Sequence, residues 1–198
     1  MFFDSEYRRI GSIDAGPLEL AVTAIGEAEW LAFGDRQQAY AAHRATQSIP
    51  LIFDPDFRHE APTRLPVFDR YAAMLEAPMA AIRDFFAANP PPGTAGEGYF
   101  VRVLLVRLEA AAKIGSHRDH GHSLARAHRI HLPIITNPGV EFGIAGHIRH
   151  LAAGELWEVN NRKVHGVRNA SDTHRIHAIF DYVVPGEVVP DPEGDLIA

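Results

Sequence analysis

Tyr99-Phe100-Val101-Arg102-Val103-Leu104-Leu105-Val106-Arg107-Leu108 is a run of large apolar and β-branched side chains, and it predicts a long strand. Shorter candidates follow it over Arg129 to Thr136, Val140 to Ile144, His147 to Leu151, Glu155 to Val159, Lys163 to Arg168 and Arg175 to Val184. Turn residues punctuate them: Asn137-Pro138-Gly139, Gly146, Ala153-Gly154, Asn160-Asn161, and Asn169 through Thr173. Short strands at regular spacing with no helices between them predict an antiparallel sandwich or barrel, and a jelly roll suits this strand count.

Upstream the pattern changes. Asn89-Pro90-Pro91-Pro92-Gly93-Thr94-Ala95-Gly96-Glu97-Gly98 is a loop that neither a helix nor a central strand tolerates. Before it, Tyr71, Leu75, Met79, Ile82 and Phe86 recur at helical spacing and predict an amphipathic helix over about residues 68–88. Pro78 lies within it and should either kink that helix or open a second one. Pro17 to Ala28 reads as a short helix, Ser48 to Phe53 reads as a strand, and Trp30 to Thr46 is ambiguous. The expected organisation is one mostly-β domain with N-terminal helices. Residues 1–97 form a helical or mixed buttress, 98–184 the β core, and 185–198 a loosely packed tail.

Composition narrows the function. The 198 residues are 46% apolar and 22% charged, as in soluble globular domains. No window approaches the roughly 20 apolar residues of a membrane helix, and Met1 to Glu6 lacks the pattern of a secretory signal, so a cytoplasmic protein is expected. The net charge is −6 with no basic run, the opposite of a phosphate-backbone binder, so nucleic acid is not an expected partner. The absence of cysteine removes disulfides, thiolate zinc sites, iron–sulfur clusters and cysteine nucleophiles together.

Histidine carries the chemistry. Ten of the 12 histidines fall between residues 117 and 177, and most of those ten are expected at solvated sheet surfaces. His117-Arg118-Asp119 contains His-x-Asp, a pattern expected by chance roughly 0.7 times in this composition. Its value comes from its company. On an extended segment, residues i and i+2 point the same way with Cα atoms about 6.5–7 Å apart, so His117 and Asp119 can converge on one ion. A third ligand from a downstream strand would complete a two-histidine, one-carboxylate set whose open positions suit Fe(II). His165 fits that role. Arg175, ten residues on, suits an anionic cosubstrate, and a hairpin turning at Ala170 to Thr173 would set it beside His165. Arg129-Ile130-His131 and Arg175-Ile176-His177 repeat one alternation, polar on one face and isoleucine on the other. Two such pairs flanking a metal set point to a polar pocket.

These residues resemble the aspartyl/asparaginyl β-hydroxylase family, a group that includes the free-proline cis-hydroxylases. The likeness runs through His117-Arg118-Asp119, Arg129 to Asn137, Gly154-Glu155-Leu156-Trp157, Asn160-Asn161, His165 and Arg175-Ile176-His177, and covers about residues 98–183. It implies a double-stranded β-helix (a cupin-like jelly roll) and a dioxygenase using Fe(II), 2-oxoglutarate and O₂. It implies that His117, Asp119 and His165 bind the iron and that Arg175 binds the distal carboxylate of 2-oxoglutarate. Arg129 and His131 would bind the end nearer the metal. Asp119 is the carboxylate that halogenating relatives replace by a small residue, so hydroxylation is implied. The family enzyme acting on acidic side chains carries an arginine two places before the residue matching Arg129. Ala127 stands there in this chain. A small amino-acid-like carboxylate is therefore the expected substrate, with Arg118, Arg126 or another basic group to meet it. The alternatives are hydroxylation of Asp or Asn side chains in a polypeptide, and a cupin-like metal protein that does not use 2-oxoglutarate.

Overall fold

The computed structural model describes residues 3–34 and 44–190. In chain order these form β1 (Tyr7–Ser12), α1 (Gly16–Thr23), α2 (Glu27–Leu31), β2 (Thr46–Phe53), β3 (Thr63–Arg64) and α3 (Phe68–Ala88). After the proline loop come β4 (Tyr99–Leu108), β5 (Lys113–His117), α4 (His122–Arg126), β6 (Ala127–Ile135), β7 (Val140–Ile144) and β8 (His147–Arg149). The last three are β9 (Glu155–Val159), β10 (His165–Asn169) and β11 (Arg175–Val183).

The strands make two antiparallel sheets. The larger has the order β1-β9-β6-β11-β4-β2-β3, and the smaller β5-β10-β7-β8. Alternation along the long strands gives the larger sheet two unlike faces. On one face Ile49, Leu51, Val103, Leu105, Ile130, Leu132, Ile176 and Phe180 join the core formed with Tyr71, Leu75, Ile82 and Phe86 of α3. The intervening residues of β6 and β11 are Arg129, His131, Arg175, His177 and Asp181, all buried. The smaller sheet meets this other side through Val140, Phe142, Ile144 and Val167, which cluster with Leu108, Trp157 and Val159. Helix packing thus takes the apolar face, and the space between the sheets takes the polar one.

Several expectations hold closely. α3 covers the expected span, and β4, β7 and β9 match to the residue. Others need correction. α3 runs unbroken through Pro78, with buried Phe68, Tyr71 and Leu75 before it and Met79, Ile82 and Phe86 after it anchoring both halves. The expected helix from Pro17 divides into α1 and α2, because Gly26 adopts an extended conformation (φ −75°, ψ 156°). The N-terminal half also supplies β1, β2 and β3 to the larger sheet, of which only β2 was expected. A short helix, α4, stands between β5 and β6. β10 and β11 are not a hairpin: β10 pairs with β5 and β7, while β11 pairs with β4 and β6. The Ala170–Thr173 turn carries the chain from one sheet to the other, so His165 and Arg175 belong to opposing sheets.

The described part of the tail is tied down. Val188 donates its N–H to the Pro92 carbonyl (2.9 Å), Ala95 donates to that of Pro185 (2.8 Å), and Glu187 meets buried His128 (2.9 Å). His128 also meets Glu158 (2.6 Å). Burial works against its charge, but the two carboxylates outweigh burial and raise its pKa. No helix among the described residues is long and apolar enough to cross a membrane.

Ile82 is fully buried in the α3 stripe. Ile82→Ala is expected to lower unfolding stability by about 2–5 kcal/mol, read as a lower urea midpoint at unchanged slope.

Candidate metal centre

His117 and His165 are direct cross-strand partners in the β5–β10 pairing, with ring centroids 4.3 Å apart. Each ring is oriented by its own backbone. His117 Nδ1 lies 2.8 Å from the Gly115 carbonyl, and His165 Nδ1 lies 2.9 Å from the Lys163 carbonyl. With Nδ1–H donating there, Nε2 is left as the ligand atom of each ring, the usual arrangement of metal-binding histidines. Asp119 is not on the strand. Pairing ends at His117, and Asp119 follows in a loop fixed by donation of its N–H to the Asn161 carbonyl (3.0 Å). One carboxylate oxygen lies 3.6 Å from His117 Nε2. Ligand atoms of His117, Asp119 and His165 all lie within 4.8 Å of one another. Two imidazoles and one carboxylate converging in this way fit a first-row divalent ion and leave positions open for exogenous ligands.

Behind the triad lies the polar face of the larger sheet. Arg129 donates through Nη1 to Asp119, and through Nε and Nη2 to the two oxygens of Asp181, each at 2.8 Å. Burial opposes the Arg129 charge, but Asp119 and Asp181 outweigh it and hold the guanidinium protonated. His131 and His177 meet through their Nδ1 atoms at 3.2 Å. Burial first, then Arg175, drives both well below the usual histidine range, so both are neutral. Phe142 contacts both groups, stacked parallel to His165 at 6.3 Å and edge-on to His131 at 5.1 Å.

Arg175 is the anomaly. Its residue is 1% exposed, and neither Nε nor Nη1 has a hydrogen-bond partner in the protein. Burial pushes its pKa down to about 10, and no carboxylate offsets the loss of hydration. His131 touches Phe142, which stacks on His165, and it meets His177 on the strand that also carries Arg175. A buried guanidinium with Nε and Nη1 left without partners in the protein is suited to an anionic ligand.

The structure thus brings His117, Asp119 and His165 together and lines the adjoining space with Arg129, His131, His177 and Arg175. Asp181 escaped sequence reasoning. Its signal was its place six residues after Arg175, on the same face of β11. The backbone role of Asn161 left no such signal. Nor are most of the clustered histidines at the surface. His128, His131, His165 and His177 are buried, and His117 and His122 are half-buried. Of His120, His122 and His128, where at least two were expected to be exposed, only His120 is.

His165→Ala removes one of the three candidate ligands but leaves the α3 core untouched. It is expected to abolish stoichiometric Fe(II) retention while the far-UV spectrum stays native. Wild-type iron content in that variant would contradict the assignment.

The aspartyl/asparaginyl β-hydroxylase family model matches residues 87–185, half of the chain. No curated protein sequence matches the chain. Among solved structures, it is similar to an oxidoreductase of the 2-oxoglutarate–Fe(II) oxygenase family from Burkholderia pseudomallei (TM-score 0.57, 17% identity, covering 73% of this chain and 71% of that one). It is also similar to a viral collagen prolyl hydroxylase from Paramecium bursaria Chlorella virus 1, solved with 2-oxoglutarate (0.58, 11%, 91% and 96%). A third likeness is to AviO1 from Streptomyces viridochromogenes (0.55, 15%, 92% and 91%). At these identities the structural likenesses speak to the fold, a jelly roll, and the family match speaks to descent. The chain belongs to the aspartyl/asparaginyl β-hydroxylase family.

Proposed function

We propose that the chain hydroxylates an unactivated C–H bond of a small, amino-acid-like carboxylate, with iron held by His117, Asp119 and His165. The class of enzyme, an Fe(II)- and 2-oxoglutarate-dependent dioxygenase, follows from the family. Bound iron, 2-oxoglutarate and O₂ supply the oxidising power: one oxygen atom enters the substrate as hydroxyl, and the other leaves in succinate, with release of CO₂.

The protein's residues hold and orient. Arg175 receives the distal carboxylate of the cosubstrate in a charge-assisted, bidentate contact; its buried guanidinium, with Nε and Nη1 unpartnered in the protein, is the observation that carries this reading. His131 meets the end nearer the metal. Arg129 contributes at that end through the Nη1 edge that also holds Asp119. Neutral His131 and His177 act as hydrogen-bond partners without adding charge beside the two arginines. Phe142, packed against His165 and His131, keeps apolar surface beside the reacting space and helps to exclude water.

The substrate class rests on Ala127. The position where the acid-directed family enzyme has an arginine is here a fully buried alanine packed with Val101 and Val183. An arginine could not be accommodated there without opening that cluster. Arg118, exposed and next to His117 in sequence, or half-buried Arg126 would meet the substrate carboxylate. Hydroxylation of Asp or Asn within a polypeptide is the second reading, favoured by the family's name.

Turnover should be followed as succinate release and a +16 Da product across free amino acids, small carboxylates and peptides. Free amino acids or their derivatives are expected to be turned over. Hydroxylation confined to polypeptides would favour the second reading. Arg175→Ala is expected to weaken 2-oxoglutarate binding by about 2–4 kcal/mol while iron is retained.

A further inference from the structure

Away from the triad, His59, Glu60 and His122 form a second group of ligand side chains whose donor atoms lie within 4.8 Å of one another. It shares no residue with the first. His59 and Glu60 sit on the loop between β2 and β3, and His122 opens α4. The two imidazole rings are 4.9 Å apart, inclined at 35°. Nδ1 of each is buried and has no hydrogen-bond partner in the protein. An imidazole nitrogen shut away from water and left unpaired is unfavourable, and here two occur side by side.

The scaffold around the pair is rigid. Buried Asp54 accepts hydrogen bonds from Arg102, from Ser123, next to His122, and from the His59 backbone N–H (3.4 Å). One carboxylate therefore fixes both segments that carry the ligands. Tyr99 donates its hydroxyl to the His59 carbonyl (2.8 Å), and Phe57 donates its N–H to the Asp54 carbonyl (3.0 Å). His59 and Phe57 are both held in the left-handed region, at φ 61° and 57°. For non-glycine residues this conformation is strained, and it persists only where surrounding contacts enforce it. Here those contacts aim the His59 ring at that of His122. Glu60 is exposed, so its carboxylate is free to swing onto a shared ion. Arg126 opposes a cation here, but one end of its guanidinium is held on the His122 carbonyl (3.2 Å).

We propose that His59, Glu60 and His122 form a second metal site, separate from the iron triad, for a borderline divalent cation of the Zn²⁺ class. Two imidazoles and one carboxylate select such ions over Mg²⁺ or Ca²⁺, which prefer all-oxygen sets. Three protein ligands leave a fourth position for water or a small ligand. An ion held there clamps the β2–β3 loop to the segment that follows Asp119, bracing one wall beside the iron ligands from outside.

The test is a metal stoichiometry in protein whose first site is disabled. The full-length His165→Ala chain, stripped with chelator, is titrated with Zn²⁺ by calorimetry, and the bound metal is checked by elemental analysis after gel filtration. One Zn²⁺ per chain is expected. Adding His122→Ala is expected to remove that ion or weaken its binding by at least about tenfold. Glu60→Gln, a substitution at an exposed position that leaves the fold intact, is expected to weaken it measurably on its own. Mg²⁺ is expected not to compete. The proposal is overturned if the His165→Ala chain binds no Zn²⁺, or if binding is unchanged in both the His122→Ala and the Glu60→Gln backgrounds.

Discussion

Arg129 is the joint on which the centre of the molecule depends. It projects from β6 of the larger sheet, grips Asp181 of the neighbouring β11 with two parallel hydrogen bonds, and reaches with its remaining edge to Asp119, which follows β5 of the smaller sheet. One buried cation therefore sets the position of the Asp119 carboxylate relative to the opposite sheet. Burying such charges costs several kcal/mol for each ion unless their hydrogen bonds are completed. Here two carboxylates flank one guanidinium, and the set is closely satisfied. Arg175, on the same face of the same sheet, is buried as deeply but has no carboxylate to meet it. The contrast is one of partners: Arg129 is tied to Asp181 by two hydrogen bonds, whereas Nε and Nη1 of Arg175 have none in the protein.

Much of this was legible in the sequence because period-2 alternation is a strong signal when both faces of a strand are buried. Arg129-Ile130-His131 and Arg175-Ile176-His177 announced one polar face and one apolar face. The structure places Ile130 and Ile176 in the α3 core and the polar residues on the opposite face. The stripe from Tyr71 to Phe86 marked the helix that covers the apolar face. What escaped was long-range. The link from His165 to Arg175 has the length and turn residues of a hairpin, and only the pairing of β10 with β5 and β7 shows that it crosses between sheets. β1 was missed because Tyr7-Arg8-Arg9-Ile10-Gly11-Ser12 is polar and edge-like, and it becomes a strand through its partner β9. The same limit hid Asn161, whose contribution to Asp119 is a backbone carbonyl. His43, in the ambiguous stretch before β2, lies outside the described residues.

The N-terminal half is more than a buttress. β2 flanks β4 in the larger sheet, and the loop after it carries Asp54, which ties Arg102 of β4 to Ser123 of α4. On the far edge, Arg8 of β1 pairs with Glu158 (2.6 Å), and Glu158 in turn supports buried His128 together with Glu187. These ion pairs hold the first strand, the last described turns and β6 to one another. They brace the strand that presents Arg129 and His131.

The central claim is that the inward polar face holds a metal and a 2-oxo acid side by side. The most direct measurement is anaerobic visible spectroscopy of the wild-type chain as Fe(II) and 2-oxoglutarate are added, separately and then together. The account predicts a charge-transfer band that needs both additions and saturates at one equivalent of each per chain. Full binding of both ligands with no such band would mean that they occupy separate places, and would contradict it.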